Sequence, residues 1–237
     1  MVRDSIMTTY VLVHGSWCSG SVWSPVADRL TGMGHGVEVV AQLPSTGTEV
    51  AALGDLHDDV ARVRTLLDGI QDDVVLVGHS YSGMIVTELA GHPSIRHSVY
   101  LAAFWPLAGQ TALEARGGGP LPEWLTMRED GATELTKDAT VFRAEFCADL
   151  TVAEAGKLHG ALVLQSPAAF GVPATAPART HPVTYVVIER DRSFRAPLQE
   201  HSARRADHVV HVAAAHMAQL SAPAEIAEIL AATGETP

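Results

Sequence analysis

Short runs of apolar, β-branched residues recur along this chain, and helical patterns lie between them. The runs are YVLVHG (10–15), VEVVAQL (37–43), DVVLVGHS (73–80), SVYLAAF (98–104), VTYVVIE (183–189) and HVVHVAA (208–214). Several are almost uninterrupted in their apolar character, as expected of strands that are covered on both faces. Because strands alternate with helices, the sequence predicts an α/β fold with a mostly parallel sheet of about six strands flanked by helices.

The segments between the runs carry recognisable helix signals. Apolar residues at positions 53, 56, 60, 63, 67 and 70 step by three and four, which places them on one stripe of a helix. Ser24 and Pro25 form an N-cap followed by a first-turn proline, and Pro223 opens a last helix in the same way. These helices are expected to cover the two faces of the sheet.

One long segment, 106–182, interrupts the alternation. It contains GGGP (117–120), several prolines and scattered large apolar residues that need burial. Such a length is too great for a simple loop in a compact domain. We therefore predict a core domain formed by 1–105 and 183–237, with 106–182 inserted as a largely helical cap over the ends of the sheet.

The motif GHSYSG (78–83) lies where a predicted strand gives way to a helix. A serine at such a junction sits on a sharp turn that lifts its hydroxyl clear of the sheet, and the crowded turn requires small neighbours. Gly78 meets this requirement, and Ser82 stands where a second glycine is usual. We predict that Ser80 is a nucleophile. Its acyl chemistry would need two amide donors for an oxyanion, and the N–H groups of Ser16 and Tyr81 are the expected pair.

The general base for a serine nucleophile is expected to be a histidine, because it must take and return a proton near neutral pH. Of the twelve histidines, His216 follows the final predicted strand, at the sheet edge where Ser80 is expected. His79 adjoins Ser80, but its side chain is expected to point away from it. His14 lies near the site, where a structural role and contact with substrate both remain open.

The acid that orients this histidine should leave a strand end between serine and histidine in chain order. Asp191 does so, whereas Glu189 is still within the strand pattern and Asp207 precedes the next strand at the opposite end of the sheet. Asp191 is therefore predicted to fix the imidazole tautomer and to stabilise the imidazolium.

Composition excludes several other classes of protein. The formal net charge is −11 and no basic face is apparent, which argues against nucleic acid as a partner. No apolar run is long enough to span a bilayer, and the N-terminal residues lack the features of a secretory signal. The chain has 2 cysteines far apart in sequence, so free thiols and a cytoplasmic location are expected. No metal-binding motif is present.

These motifs together resemble the α/β-hydrolase superfamily. The closer likeness is to its small esterase and hydroxynitrile-lyase branch, which includes plant methylesterases. The matching stretches, in the same order, are VLVHGSWCSGSVW (11–23), VLVGHSYSGM (75–84), YVVIERDRSF (185–194) and AHMAQLSAP (215–223). The resemblance implies the α/β-hydrolase fold without its first two strands, a helical cap and no cofactor. Met217 and Gly15 stand where hydroxynitrile lyases carry a lysine and a threonine, which argues against that activity.

The expected function is hydrolysis of a small carboxylic ester through an acyl-enzyme. An apolar substrate pocket is predicted from His14, Trp105, Leu107, Leu121, Trp124, Leu125 and Phe146. Three alternatives remain open at this stage. They are cleavage of a lactone or thioester, acyl transfer to an alcohol, and a non-catalytic protein that binds a small ligand in the same pocket. The sequence leaves a homodimer open, and it identifies neither the substrate nor the enantioselectivity.

Overall fold

The computed structural model describes residues 8–234. Part of the N-terminal stretch in which no secretory signal was recognised lies outside this range. The described strands are β1 (Thr8–Val13), β2 (Gly36–Val39), β3 (Thr46–Gly47), β4 (Asp73–His79), β5 (Ile95–Leu101), β6 (Leu125–Met127), β7 (Thr133–Leu135), β8 (Leu164–Gln165), β9 (Val183–Ile188) and β10 (His208–Val212). The six predicted runs correspond to β1, β2, β4, β5, β9 and β10, although each strand ends before its run does.

These six strands form one sheet in the order β10-β9-β5-β4-β1-β2, with every pair parallel. The prediction of a mostly parallel six-stranded sheet is confirmed. Because the strands run the same way, their carboxyl ends meet at one edge, and the loops that follow β1, β4, β9 and β10 emerge there together. These four loops carry the predicted catalytic residues and oxyanion donors: Ser16, Ser80, Tyr81, Asp191 and His216.

Helices surround the sheet. They are α1 (Ser24–Gly32), α2 (Leu56–Asp68), α3 (Gly83–Glu88), α4 (Ala112–Ala115), α5 (Ala139–Phe146), α6 (Val152–Gly160), α7 (Ala168–Gly171), α8 (Ala196–Ala203), α9 (Ala218–Ser221) and α10 (Pro223–Gly234). Proline stands in the first turn of α1, as the sequence indicated, and Asp55 caps α2 by accepting from the N–H groups of His57 and Asp58. No helix within residues 8–234 has both the length and the apolar character needed to cross a membrane.

The segment 106–182 is mixed rather than largely helical. It contributes α4 to α7, but also β6, β7 and β8, which join β3 of the core in a second sheet of order β3-β8-β7-β6. These strands are two or three residues long and too short to show an alternating pattern, so they could not be predicted from the sequence. The boundaries proposed for a cap domain stay a prediction.

The interior is formed by the strands and by aromatic side chains. Residues Tyr10 to Val13 of β1 are completely buried, and every residue of β9 is buried. Trp23 and Phe142 are among the largest fully buried side chains. Both cysteines, Cys18 and Cys147, are buried free thiols, as expected from their spacing.

Candidate active site

Ser80 occupies a strained turn at the end of β4. Its φ angle is 56°, in the left-handed region that a residue with a Cβ seldom adopts, and α3 begins three residues later at Gly83. Such outliers persist only where the surrounding structure holds them, and they concentrate at functional sites. The turn therefore has the form predicted from GHSYSG.

Close packing explains which small residues this turn requires. A Cβ on Gly78 would lie 2.6 Å from Cγ2 of Val86 and 3.0 Å from the carbonyl oxygen of Ser82, so only glycine fits there. Ser82 is fully buried, and its hydroxyl lies 3.0 Å from the carbonyl oxygen of Val13 and 2.9 Å from that of His79. Serine therefore serves in place of the usual second glycine because its hydroxyl is satisfied by the backbone.

His216 and Asp191 form a buried pair above the carboxyl edge of the sheet. Nδ1 of His216 donates to Oδ2 of Asp191 at 2.6 Å, and both side chains are almost inaccessible to solvent. The carboxylate also accepts from the N–H of Phe194 at 2.9 Å and from the hydroxyl of Ser193 at 3.1 Å. A carboxylate held in this way fixes the imidazole tautomer and leaves Nε2 free to accept a proton.

Gln199 of α8 supports this pair, and sequence reasoning missed it. Its Nε2 donates to Oδ2 of Asp191 at 3.0 Å, and its Oε1 accepts from the N–H of Ile188 at 2.8 Å. The side chain is completely buried. It thereby ties the end of β9 to the turn that carries the carboxylate. A glutamine within a helix gives no sign in the sequence that it faces a buried acid.

His79 supports His216 from the other side. The two rings lie 4.5 Å apart, and Nε2 of His79 donates to the carbonyl oxygen of His216 at 3.0 Å. Nδ1 of His79 lies 3.3 Å from Nε2 of Gln219, from which it accepts. Burial lowers the pKa of His79 well below its usual value, so the ring is neutral. His79 is also among the residues that line the cavity into which Ser80 opens, and the direction of its ring relative to the Ser80 hydroxyl stays a prediction.

Ser80, His216 and Ser16 line one cavity of about 970 Å³, a volume that includes its open mouth. The core provides the floor and the segment 106–182 provides most of the walls, which are largely apolar. Of the predicted pocket residues, Leu121, Trp124, Leu125 and Phe146 line it. Sequence reasoning missed further lining side chains: Trp17, Cys18, Phe104, Leu113, Arg116, Met127, Leu135, Phe142, Leu158, Leu162, Phe170, Phe194 and Met217.

The loops that carry the predicted oxyanion donors are in contact. A Cβ on Gly15 would lie 3.0 Å from Cβ of Ser80, which brings the backbone at Ser16 close to the nucleophile turn. The side chain of Tyr81 is buried outside the cavity, and its hydroxyl donates to Oδ2 of Asp59 at 2.8 Å. The N–H groups of Ser16 and Tyr81 stay the predicted donors.

His14 does not line the cavity. Its Nδ1 donates to the carbonyl oxygen of Gly15 at 2.8 Å, and its Nε2 accepts from the N–H of Leu43 at 3.2 Å. Burial lowers the pKa of His14 to about 4, so the ring is neutral at pH 7. Because both ring nitrogens bond to backbone, His14 has a structural role and the pocket prediction for it is wrong.

Trp105 and Leu107 also lie outside the cavity. Both line a separate groove that contains Arg205, whose guanidinium stands 4.5 Å above the Trp105 ring. Leu107 is 54% exposed. Successive side chains of extended backbone point to opposite sides, so Phe104 faces the cavity and Trp105 faces away from it.

Within the described residues, no cluster of three or more His, Cys, Asp or Glu side chains is arranged to hold a metal ion. Three of the four imidazole nitrogens of the two cavity histidines already have partners. Nδ1 of His216 bonds to Asp191, and both nitrogens of His79 have partners. A serine and an imidazole paired with a carboxylate thus line one cavity, and these are the group types that nucleophilic catalysis by a hydroxyl requires.

Comparison with known proteins gives a family and two curated relatives. The model of the alpha/beta hydrolase family matches residues 10–229. A carbendazim hydrolyzing esterase of Nocardioides sp. is 38% identical over 117 residues, which are 45% of this chain and 46% of that protein. The chain thus spans about half the length of this relative. A probable hydrolase, R7, of Phoma sp. is 26% identical over 93% of this chain and 96% of its own.

Solved structures share the fold over nearly the whole chain. A pyrethroid hydrolase, PytH, has a TM-score of 0.85 at 21% identity, with 98% of each chain covered. Polyneuridine aldehyde esterase has a TM-score of 0.83 at 18% identity, covering 97% of this chain and all of that one. The family model confirms the resemblance to the α/β-hydrolase superfamily, and these structures agree with it in fold.

Proposed function

Since the chain belongs to the alpha/beta hydrolase family, we propose that it hydrolyses a small carboxylic ester through an acyl-enzyme on Ser80. One observation carries this proposal: His216, bonded to a buried Asp191, opens onto the same largely apolar cavity as the strained Ser80 turn. The esterase and hydrolase names of the relatives and structural neighbours support it.

The proposed reaction has two halves. The Ser80 hydroxyl attacks the ester carbonyl carbon while Nε2 of His216 takes its proton, and Asp191 stabilises the imidazolium that forms. The N–H groups of Ser16 and Tyr81 hold the oxyanion, and His216 then protonates the departing alcohol. A water molecule, activated by the same imidazole, releases the acid and restores Ser80.

The cavity walls favour esters with apolar acyl or alcohol groups, because aromatic and aliphatic side chains form most of the lining. A cytoplasmic location and a homodimer also remain proposals. The two buried free cysteines agree with a reducing compartment.

Ser80→Ala tests the nucleophile. We expect turnover of p-nitrophenyl butyrate to fall by about 10⁴-fold or more, because the covalent half of the reaction is lost. Labelling by a fluorophosphonate should disappear as well. Ser21→Ala is the matched control, since Ser21 is exposed and its hydroxyl bonds to that of Ser19, and it should keep both properties.

Two outcomes would contradict the proposal. One is a Ser80→Ala variant that is folded by circular dichroism and still labels fully. The other is a wild-type protein that neither labels nor turns over acetate and butyrate esters. Lactones and acyl thioesters in the same assay separate the related activities, and ligand binding without any turnover would favour a binding protein.

A further inference from the structure

Arg116 is the one permanently charged side chain among the described residues that line the cavity. The other lining residues are apolar, hydroxyl-bearing, cysteine or histidine, and no Asp or Glu is among them. The cation therefore faces a space in which the protein provides no opposite charge.

Local structure holds Arg116 in place without neutralising it. The residue forms the C-cap of α4, where its N–H bonds to the carbonyl oxygen of Ala112. The nearest acid in sequence, Glu114, is already engaged, because its Oε2 accepts from the N–H of Thr111 at 2.8 Å and from the hydroxyl of Thr111 at 2.9 Å. Within residues 8–234 the Arg116 guanidinium forms no ion pair or hydrogen bond.

The surroundings of this guanidinium favour an anionic partner. The side chain is half-buried, and desolvation lowers its pKa from the usual value, although an arginine stays charged throughout the working range. A partly desolvated cation without a partner is energetically unfavourable. The paired N–H donors of the planar guanidinium match the two oxygens of a carboxylate. Apolar walls strengthen such a contact because they exclude water.

We propose that Arg116 binds a free carboxylate of the substrate, so that the preferred substrates are monoesters of dicarboxylic acids with an apolar chain between the two groups. This inference rests on the proposed function. The reaction adds one water across the ester C–O bond and yields a dicarboxylic acid and an alcohol. Arg116 takes no part in bond making or breaking; it selects and positions the substrate.

The net charge of the molecule does not oppose this selection at short range. The chain carries a formal charge of −11, which repels anions at a distance. At about 0.15 M salt the screening length is about 8 Å, so a direct contact with Arg116 outweighs distant surface carboxylates.

A matched pair of esters tests the proposal. The p-nitrophenyl monoester of adipic acid and p-nitrophenyl hexanoate have the same chain length and differ in the terminal carboxylate. We expect Arg116→Met to lower the ratio of their kcat/KM values by roughly 10- to 100-fold, as for loss of a charged hydrogen bond, mainly through KM for the monoester. Arg116→Lys should lower this ratio of kcat/KM values less than Arg116→Met does, since lysine retains the positive charge but lacks the two parallel N–H donors of a guanidinium.

Lys137→Met is the charge-matched control. Lys137 is 82% exposed and pairs with Glu134 on the surface, so its loss removes one positive charge without touching the cavity. The ratio of kcat/KM values should stay the same in this variant.

The carboxylate preference and the esterase activity can fail separately. If wild-type protein turns over hexanoate through Ser80, but Arg116→Met leaves the ratio unchanged, the carboxylate preference is wrong and the esterase proposal stands. If wild-type protein turns over neither of these esters, and also neither labels nor turns over acetate and butyrate esters, the esterase proposal fails. Calorimetry then tests the carboxylate site independently of turnover. It measures how tightly monomethyl adipate and methyl hexanoate bind to Ser80→Ala, with and without Arg116→Met. If monomethyl adipate binds both variants with equal affinity, the proposed carboxylate site is wrong.

Discussion

Asp59 is a buried acid directly behind the Ser80 turn. Its Oδ1 accepts from the N–H of Ser45 at 2.8 Å, and its Oδ2 accepts from the hydroxyls of Ser45 at 2.6 Å and Tyr81 at 2.8 Å. Tyr81 also carries one of the proposed oxyanion N–H groups. Burial raises the pKa of Asp59 to about 6, with the hydrogen bonds from Ser45 and Tyr81 acting in the opposite direction. Asp59 therefore holds the side chain of Tyr81, the residue proposed to supply one of the oxyanion donors.

Asp59→Asn should change the pH dependence of stability. The pKa of Asp59 is higher in the folded protein than the unfolded value of 3.8, so ionisation of this carboxyl destabilises the folded state. The contribution of Asp59 to the unfolding free energy is therefore fully present below pH 3.8 and is lost as the pH rises to about 6. An asparagine of the same shape lacks this loss. The variant should gain about 3 kcal/mol in unfolding free energy relative to wild type between pH of about 4 and about 7.

Urea denaturation across this pH range measures the difference. Asp28→Asn on the exposed surface of α1 controls for the loss of one negative charge. Parallel stability curves for wild type and Asp59→Asn would contradict the assignment.

At the level of elements, the packing of α3 against the end of β5 fixes the nucleophile turn. A Cβ on Gly83 would lie 2.1 Å from the carbonyl oxygen of Phe104 and 2.9 Å from Cβ of Ala103. The N–H of Phe104 in turn bonds to the carbonyl oxygen of Ser80 at 3.0 Å. The first residue of the helix and the chain after β5 are thus in direct backbone contact.

Gly83→Ala should destabilise the protein by about 2 kcal/mol or more, because backbone cannot move as a side chain can. Gly156→Ala is the same substitution in α6, where a Cβ meets nothing within 4 Å, and it should stabilise by about 0.5–1 kcal/mol. Chemical denaturation of both variants measures this. Equal effects in the two helices would show that the close contact at Gly83 relaxes.

The small antiparallel sheet joins the segment 106–182 to the core through buried polar groups. Nε2 of Gln165 donates to Oγ of Ser45 at 2.9 Å, and the hydroxyl of Thr133 donates to the carbonyl oxygen of Gln165 at 2.9 Å. Nε1 of Trp17, in the loop after β1, donates to Oγ1 of Thr133 at 3.1 Å. This chain of bonds connects the wall of the cavity to its floor.

At the scale of the whole molecule, we expect the core and the segment 106–182 to unfold together. Their apolar side chains belong to one continuous buried cluster, and the bonds through Gln165 cross between them. Denaturation followed by tryptophan fluorescence should coincide with that followed by far-UV circular dichroism, since Trp17 and Trp124 line the cavity and Trp23 lies in the core.

Gln165→Leu should shift both curves together, by about 1–3 kcal/mol, because it leaves buried polar groups without partners. An earlier transition in fluorescence than in circular dichroism would instead show that 106–182 unfolds as an independent unit.

Much of this protein follows from local sequence signals. The apolar runs predict the six strands because a strand buried on both faces requires such residues. A parallel sheet then brings the carboxyl ends of its strands to one edge. For this reason Ser80, Asp191 and His216 could be grouped from chain order alone, and the coordinates place Asp191 and His216 in contact and Ser80 on the same cavity.

Tertiary structure decided what depends on the direction of single side chains. His14 and Trp105 were expected in the pocket, yet His14 bonds to backbone with both nitrogens and Trp105 faces a separate groove. Gln199 and Arg116 became visible only through their neighbours. Strand and helix patterns arise from residues near each other in sequence. The cavity is lined by residues that only folding brings together, so its shape and the position of Arg116 in its lining are decided by the tertiary structure alone.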